Sequence, residues 1–177
     1  SQNGAQVSAA NVMVTTGSQQ ALDLIARVLL NSGDRVAVED PGYLGARRAF
    51  LASGASLQPV PLDDFGIDLE KLTRLRNIRM TYVTPSHQFP AGNVLPLSRR
   101  LELLDWAKRQ KSWLIEDDYD SEYRYEGRPI PALQGMDESD SVIYVGTFSK
   151  VLYPALRIGY LVIPETLVPI FRKAKWL

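Results

Sequence analysis

The sequence predicts an α/β fold, a mostly parallel sheet with helices on both faces, and three observations carry that expectation. Short apolar runs of strand length, among them "RVAVEDPG" (35–42) and "SVIYVGTFS" (141–149), alternate with amphipathic stretches of helix length. Repeated strand, helix, strand units of this kind belong to parallel sheets covered on both sides. The chain has 177 residues, 45% of them hydrophobic, which suffices for one sizeable core and fits one domain or a large piece of one.

The elements follow in order. The opening "SQNGAQVSAAN" is small, polar and without periodicity, so residues 1–10 read as a linker or frayed start and 11–177 as the folded unit. "NVMVTTG" (11–17) reads as a strand and 18–33 as a helix, with Ala21, Ile25, Val28 and Leu29 on one face and Gly33 as its stop. The strand 35–42 leads to a helix over about 43–53, a strand at 56–62 and a short helix near 68–75. "RMTYVTPS" (79–86) is the next strand, and Leu97, Leu101, Leu104 and Ala107 mark a helical stripe. "SWLIEDD" (112–118), 141–149 and "RIGYLVIP" (157–164) complete the strands, with a final helix from about Glu165. No internal repeat interrupts this order.

Charge and composition exclude several settings. Lys plus Arg and Asp plus Glu are both 20, so no overall basic field is present to hold nucleic acid or an anionic membrane. Cysteine is absent, which removes disulfides and thiolate metal sites and fits a reducing cytoplasm, the expected location. The longest apolar runs fall far short of the roughly 20 residues a membrane helix needs, and no signal peptide is expected.

In such sheets the ligand sits outside the carboxyl ends of the strands. The residues that follow the strands are Gly17, Ser18 and Gln19; Asp40 to Tyr43; "TPSHQFPAG" (84–92); Asp117, Asp118 and Tyr119; and Thr147 to Lys150. Gly17 and Ser18 stand at a strand-to-helix junction, where free N–H groups and the helix dipole seat an anion, although Ser18 as a simple N-cap explains the same pattern. Tyr43 suits stacking on a planar ring, with a Pro–Gly turn and a packed Tyr as the plainer alternative.

A carboxylate at the end of an apolar strand, as in "IEDDYDSE", is partly desolvated and needs a cationic or hydrogen-bonded partner, such as a protonated ring nitrogen. A solvated loop remains open for Asp118, Asp120 and Glu122, while a calcium loop is disfavoured because Tyr123 stands where its glycine belongs. His87 is the single histidine, more consistent with a structural role than with a metal or nucleophilic site. Lys150, desolvated at the mouth of a sheet, has the lowered pKa of an imine-forming lysine, or else is a surface lysine in a turn. Thr147, Ser149 and Arg157 lie where they could hold a phosphate.

A phosphate seat, a stacking aromatic, a carboxylate for a pyridine nitrogen and an imine-forming lysine together describe the needs of pyridoxal 5′-phosphate. In order and spacing, "TTGSQQALDL", "EDPGY", "TPSHQFPAG", "IEDDYDSEYRYEGRPIPALQ" and "GTFSKVLYPALRIGYLV" resemble the aminotransferase-like domain of MocR-type regulators in the GntR superfamily, a domain similar to fold-type I aminotransferases. The resemblance covers roughly residues 11 to 177.

It implies that Lys150 forms a Schiff base with the cofactor, that Asp117 pairs with the pyridine nitrogen and that Tyr119 hydrogen-bonds the phenolic oxygen. Tyr43 would stack on the ring, and Gly17, Ser18, Gln19, Thr147, Ser149 and Arg157 would hold the phosphate. One departure stands out. Where many aminotransferases carry Asn-Pro-Thr-Gly, this chain has Phe89-Pro90-Ala91-Gly92, so the hydrogen bond of that Asn is missing and falls to Tyr119, with Gln88 or His87 as helpers. Weak or absent transamination is the expectation.

By the same resemblance the chain is a fragment, lacking a winged-helix DNA-binding domain and a C-terminal small domain, and the parent is a homodimer that responds to an amino compound or to the cofactor. A working aminotransferase acting on amino acids is the alternative. A nucleotide-binding doubly wound domain is weaker, because no G-x-G-x-x-G follows a strand.

Overall fold

The computed structural model describes residues 8–119, 130–148 and 158–176. These form eight strands, β1 (Val12–Thr15), β2 (Arg35–Asp40), β3 (Ser56–Asp63), β4 (Gly66–Ile67), β5 (Ile78–Val83), β6 (Trp113–Asp118), β7 (Val142–Thr147) and β8 (Gly159–Val162). The helices are α1 (Ser18–Leu29), α2 (Leu44–Ala52), α3 (Leu69–Arg74), α4 (Leu97–Gln110), α5 (Leu133–Met136) and α6 (Val168–Lys175).

One sheet holds all eight strands in the order β1-β8-β7-β6-β5-β2-β3-β4. β3, β2, β5, β6 and β7 are parallel. β8 runs antiparallel to both β7 and β1, so β1 points the same way as the parallel block. The two-residue β4, which the sequence reading does not anticipate, folds back on β3 around Gly66, whose φ of 120 favours glycine.

Strand residues supply both faces in alternation. Val36, Val38, Met80, Tyr82, Ile115 and Val145 pack with α1, α2 and α6, whereas Ala37, Val83, Leu114 and Val142 pack with α3, α4 and α5. Burying Leu22, Ile25 and Phe50 completely contributes about 1.5–3 kcal/mol each.

The short α5 is not anticipated by the sequence, and two of the predicted helices differ from expectation. α1 ends at Leu29, because Leu30 turns extended, and Gly33 serves the later turn at φ 88, donating to Gly54 O at 2.8 Å. Wedged against the sheet, α2 and α6, α1 also buries Leu22, Leu24 and Ala26, while Val28 is only partly covered.

α4 is rotated relative to the predicted stripe. Leu97 and Leu101 are 47% and 51% exposed, and Arg100, Leu103, Leu104, Trp106 and Ala107 are buried. Arg100 tolerates this position because its guanidinium donates to Leu95 O, Pro131 O and Pro85 O at 2.9, 3.0 and 2.9 Å. Glu116 Oε1 lies 3.8 Å away.

Candidate functional site

The sheet register brings the predicted residues to one edge. Gly159, at the start of β8, pairs with Thr15 at the end of β1 and with Thr147 at the end of β7. Gly146 pairs with Asp118, the last residue of β6. The N-terminus of α1, Thr147, Asp117 and the loop after β5 therefore line one side of the molecule.

At the α1 end the N-cap is Gly17, with φ 99, and Ser18 is the first helical residue with no side-chain cap bond. This corrects the reading of Ser18 as a simple N-cap. Ala21 N–H closes the first turn on Gly17 O at 3.4 Å, while Gln19 Nε2 donates to Asp23 and to Gly45 O. A side chain on Gly159 would come within 2.8 Å of the Gly17 backbone, so glycine there lets β8 pass close beneath the turn. A turn with backbone N–H groups uncommitted to a cap has the character of an anion seat. Among the described residues, a cavity of about 480 Å³ lined by α1 and α6 meets this site at Gln19 alone.

Two neighbouring carboxylates end β6, and both are 4% exposed. The loop-carboxylate alternative for Asp118 is thus corrected: its Oδ2 accepts from the buried Tyr144 hydroxyl at 3.1 Å. Asp117 Oδ2 accepts from the Tyr82 hydroxyl at 2.6 Å. Asp117 Oδ1 is buried with no hydrogen-bond partner among the described residues. Burial pushes the Asp117 carboxyl up to about 6; the Tyr82 hydrogen bond opposes the rise and the Asp118 charge adds to it. An acceptor left over in a buried carboxylate costs free energy until a donor arrives, and a protonated ring nitrogen is such a donor.

The aromatic side chains form a cluster around Phe89. Tyr43 meets the Phe89 ring edge-on at 5.9 Å, Tyr119 meets it edge-on at 6.1 Å, and His87 stacks on Tyr119 at 5.9 Å. Phe89 is 40% exposed, so the cluster has an open face.

Gln88 has another task than the one expected of it. It is 1% exposed, and its Nε2 donates to Glu39 Oε2 at 3.0 Å, to Pro41 O and to Phe89 O. Glu39 also accepts from Thr84 N–H and from the Thr84 hydroxyl. Burial lifts Glu39 to about 7. Gln88 therefore ties the loop after β5 to β2 and has no amide N–H to spare for a cofactor.

Three predicted residues, Ser149, Lys150 and Arg157, lie outside the described residues. Gly17, Ser18, Gln19, Tyr43, Asp117, Tyr119 and Thr147 are placed along the one edge. Sequence reasoning misses Tyr82 and Glu39. Tyr82 stands within an apolar strand, where a tyrosine ordinarily packs in the core. The only signal in Glu39 is an acid inside a hydrophobic run, one position before the Asp-Pro-Gly-Tyr turn.

Residues 1–175 match the family Aminotransferase class I and II. The chain is 46% identical over 170 residues to the probable rhizopine catabolism regulatory protein MocR of Rhizobium meliloti, covering 96% of this chain and 34% of that protein. It is 41% identical to aromatic-amino-acid aminotransferase 1 of Thermococcus litoralis, covering 88% of this chain and 39% of the enzyme. Among solved structures, LysN, the α-aminoadipate aminotransferase of Thermus thermophilus complexed with N-(5′-phosphopyridoxyl)-L-leucine, superimposes with a TM-score of 0.87 at 37% identity. That match covers 97% of this chain and 46% of LysN. The chain spans about a third of the regulator's length and under half that of either enzyme.

Proposed function

The chain belongs to the aminotransferase class I and II family, and from that premise we propose that it is the pyridoxal 5′-phosphate-binding large domain of a MocR-type transcription regulator. The observation that carries the cofactor assignment is the spare buried oxygen of Asp117, on the same sheet edge as the uncapped first turn of α1. The regulator assignment is supported by the 46% identity to MocR.

In this reading Asp117 Oδ1 holds a proton on the ring nitrogen. Gly17, Ser18 and Gln19 offer backbone N–H groups to the phosphate, with Thr147, Ser149 and Arg157 completing the grip. Tyr43 would pack against the ring and Tyr119 would donate to its phenolic oxygen. Lys150 Nζ would hold the cofactor covalently and, when free, would carry a proton. When bound, the cofactor supplies an aldehyde that captures amines and a ring that accepts electrons. Phe89 stands where many aminotransferases carry an asparagine, which favours binding of an amino compound over rapid turnover.

The rest of the parent protein would hold the winged helix and the small domain, and two copies would form the working unit. Effector binding then alters DNA affinity by stabilising one domain arrangement over another. The second reading, a working aminotransferase, is favoured by the 41% identity to the Thermococcus enzyme.

The whole gene product should take up pyridoxal phosphate with a new absorbance band, and borohydride should fix the cofactor to Lys150. Adding amino compounds should change that band and the affinity for operator DNA, with slow or absent conversion of amino acids to oxo acids. Attachment at another lysine defeats the site assignment. Fast multiple turnovers with DNA affinity unchanged by ligand would replace the regulator with the enzyme.

A further inference from the structure

Tyr82 lies inside β5, 2% exposed, with its ring edge-on to Phe50 at 5.9 Å in the core shared by α1 and α2. Its hydroxyl is the one part that reaches the sheet edge, ending 2.6 Å from Asp117 Oδ2. A short bond from a side chain locked by packing fixes the rotation of the carboxylate it touches, in the way that an outer hydrogen bond orients a metal-ligating imidazole. Burial and the Asp117 charge hold the Tyr82 hydroxyl well above the usual tyrosine range, so it remains a donor at any working pH. The other ionisable groups around this pair are Asp118, whose charge acts on Asp117, Glu39, whose charge acts on Tyr82 and which is itself raised by Asp117, and Tyr43, which acts on Tyr82.

We propose that Tyr82 is a positioning residue for Asp117: by occupying Oδ2 it presents Oδ1 as the single oxygen available to a pyridine ring nitrogen. The inference rests on the cofactor reading above and deepens it, because it assigns to a strand tyrosine the strength with which the cofactor is held. Without the hydroxyl, the carboxylate turns between its two oxygens and must be ordered when the ring binds. Its basicity also rises, since the bond from Tyr82 favours the ionised form.

Tyr82→Phe keeps the ring and its packing and removes only the donor. Tyr144→Phe does the same for Asp118 and serves as the control. In the whole gene product freed of cofactor, the Asp117 carboxyl, followed by carbon-13 NMR against pH, should titrate about one pH unit higher in Tyr82→Phe than in the wild type. The same variant should hold pyridoxal phosphate roughly tenfold more weakly on dilution, while Tyr144→Phe leaves retention unchanged. Retention unaltered in Tyr82→Phe, even with a shifted titration, would overturn the proposal. So would equal weakening in both variants, which would point to packing rather than positioning. Failure of the cofactor reading itself looks different, because the wild type and both variants would then take up no pyridoxal phosphate.

Discussion

Glu116 and Asp117 are consecutive on β6, are both buried, and face opposite sides of the sheet with opposite outcomes. Glu116 is 0% exposed, and both of its oxygens are used: Oε1 accepts from Leu133 N–H, Oε2 from Gln134 N–H, each at 3.0 Å, with Arg100 alongside. Asp117 has one oxygen held by Tyr82 and the other unused by any described residue. Burial raises both, Glu116 to about 7 and Asp117 to about 6. Burial alone therefore does not separate a structural carboxylate from one kept for a ligand. The difference is whether the fold itself completes the set of donors.

The comparison breaks most visibly at Arg100. Replacing it with Met leaves Glu116 without its cation, Leu95 O and Pro131 O without the guanidinium donor, and Pro85 O with the Leu95 N–H alone. The expected loss is about 3–5 kcal/mol of folding stability, measured by chemical denaturation, as for other buried pairs broken from one side. A loss under about 1 kcal/mol would mean that Glu116 is held by Leu133 and Gln134 alone.

Asp117→Asn should act in the opposite sense on the cofactor-free protein. The Asp117 carboxyl has a folded pKa of about 6 against an ordinary 3.8, so its contribution to stability is fully present below about pH 4 and lost as the pH rises through 6. Removing the charge should make the variant more stable than the wild type at pH 7, by up to about 3 kcal/mol, with no advantage at about pH 4. Denaturation midpoints across that range check it. A variant less stable than the wild type at neutral pH would show that Asp117 Oδ1, like Oδ2, already has a partner within the protein.

These two carboxylates also show what the sequence could and could not disclose. The strands are legible because their apolar runs are short and end in Gly, Pro or Asp, and the edge residues follow from the rule that places ligands beyond the strand ends. The turn of α4 is not legible, because Leu97 and Leu101 keep helical spacing with Leu104 while an arginine takes the inner position. That choice depends on the carbonyls of Leu95, Pro131 and Pro85, which only the fold brings together. The antiparallel sense of β8 is equally hidden, since an apolar run carries no sign of its direction. At the site, Asp117 can be read from its place at a strand end, but Asp118 looks solvated because Tyr144, its donor, is 26 residues away in the chain. Gln88 sits beside Phe89 in sequence and so suggests a helper, whereas its amide is spent on Glu39 across the sheet.

The most direct test of the account asks what Asp117 Oδ1 faces. Pyridoxal phosphate labelled with nitrogen-15 in its ring, bound to the whole gene product, should give a resonance in the pyridinium range, and in Asp117→Ala whatever cofactor remains bound should move to the neutral pyridine range, with Asp118→Ala unchanged from the wild type. A neutral ring nitrogen in the wild type, or the same pyridinium signal after loss of Asp117, would contradict the pairing on which the functional reading stands.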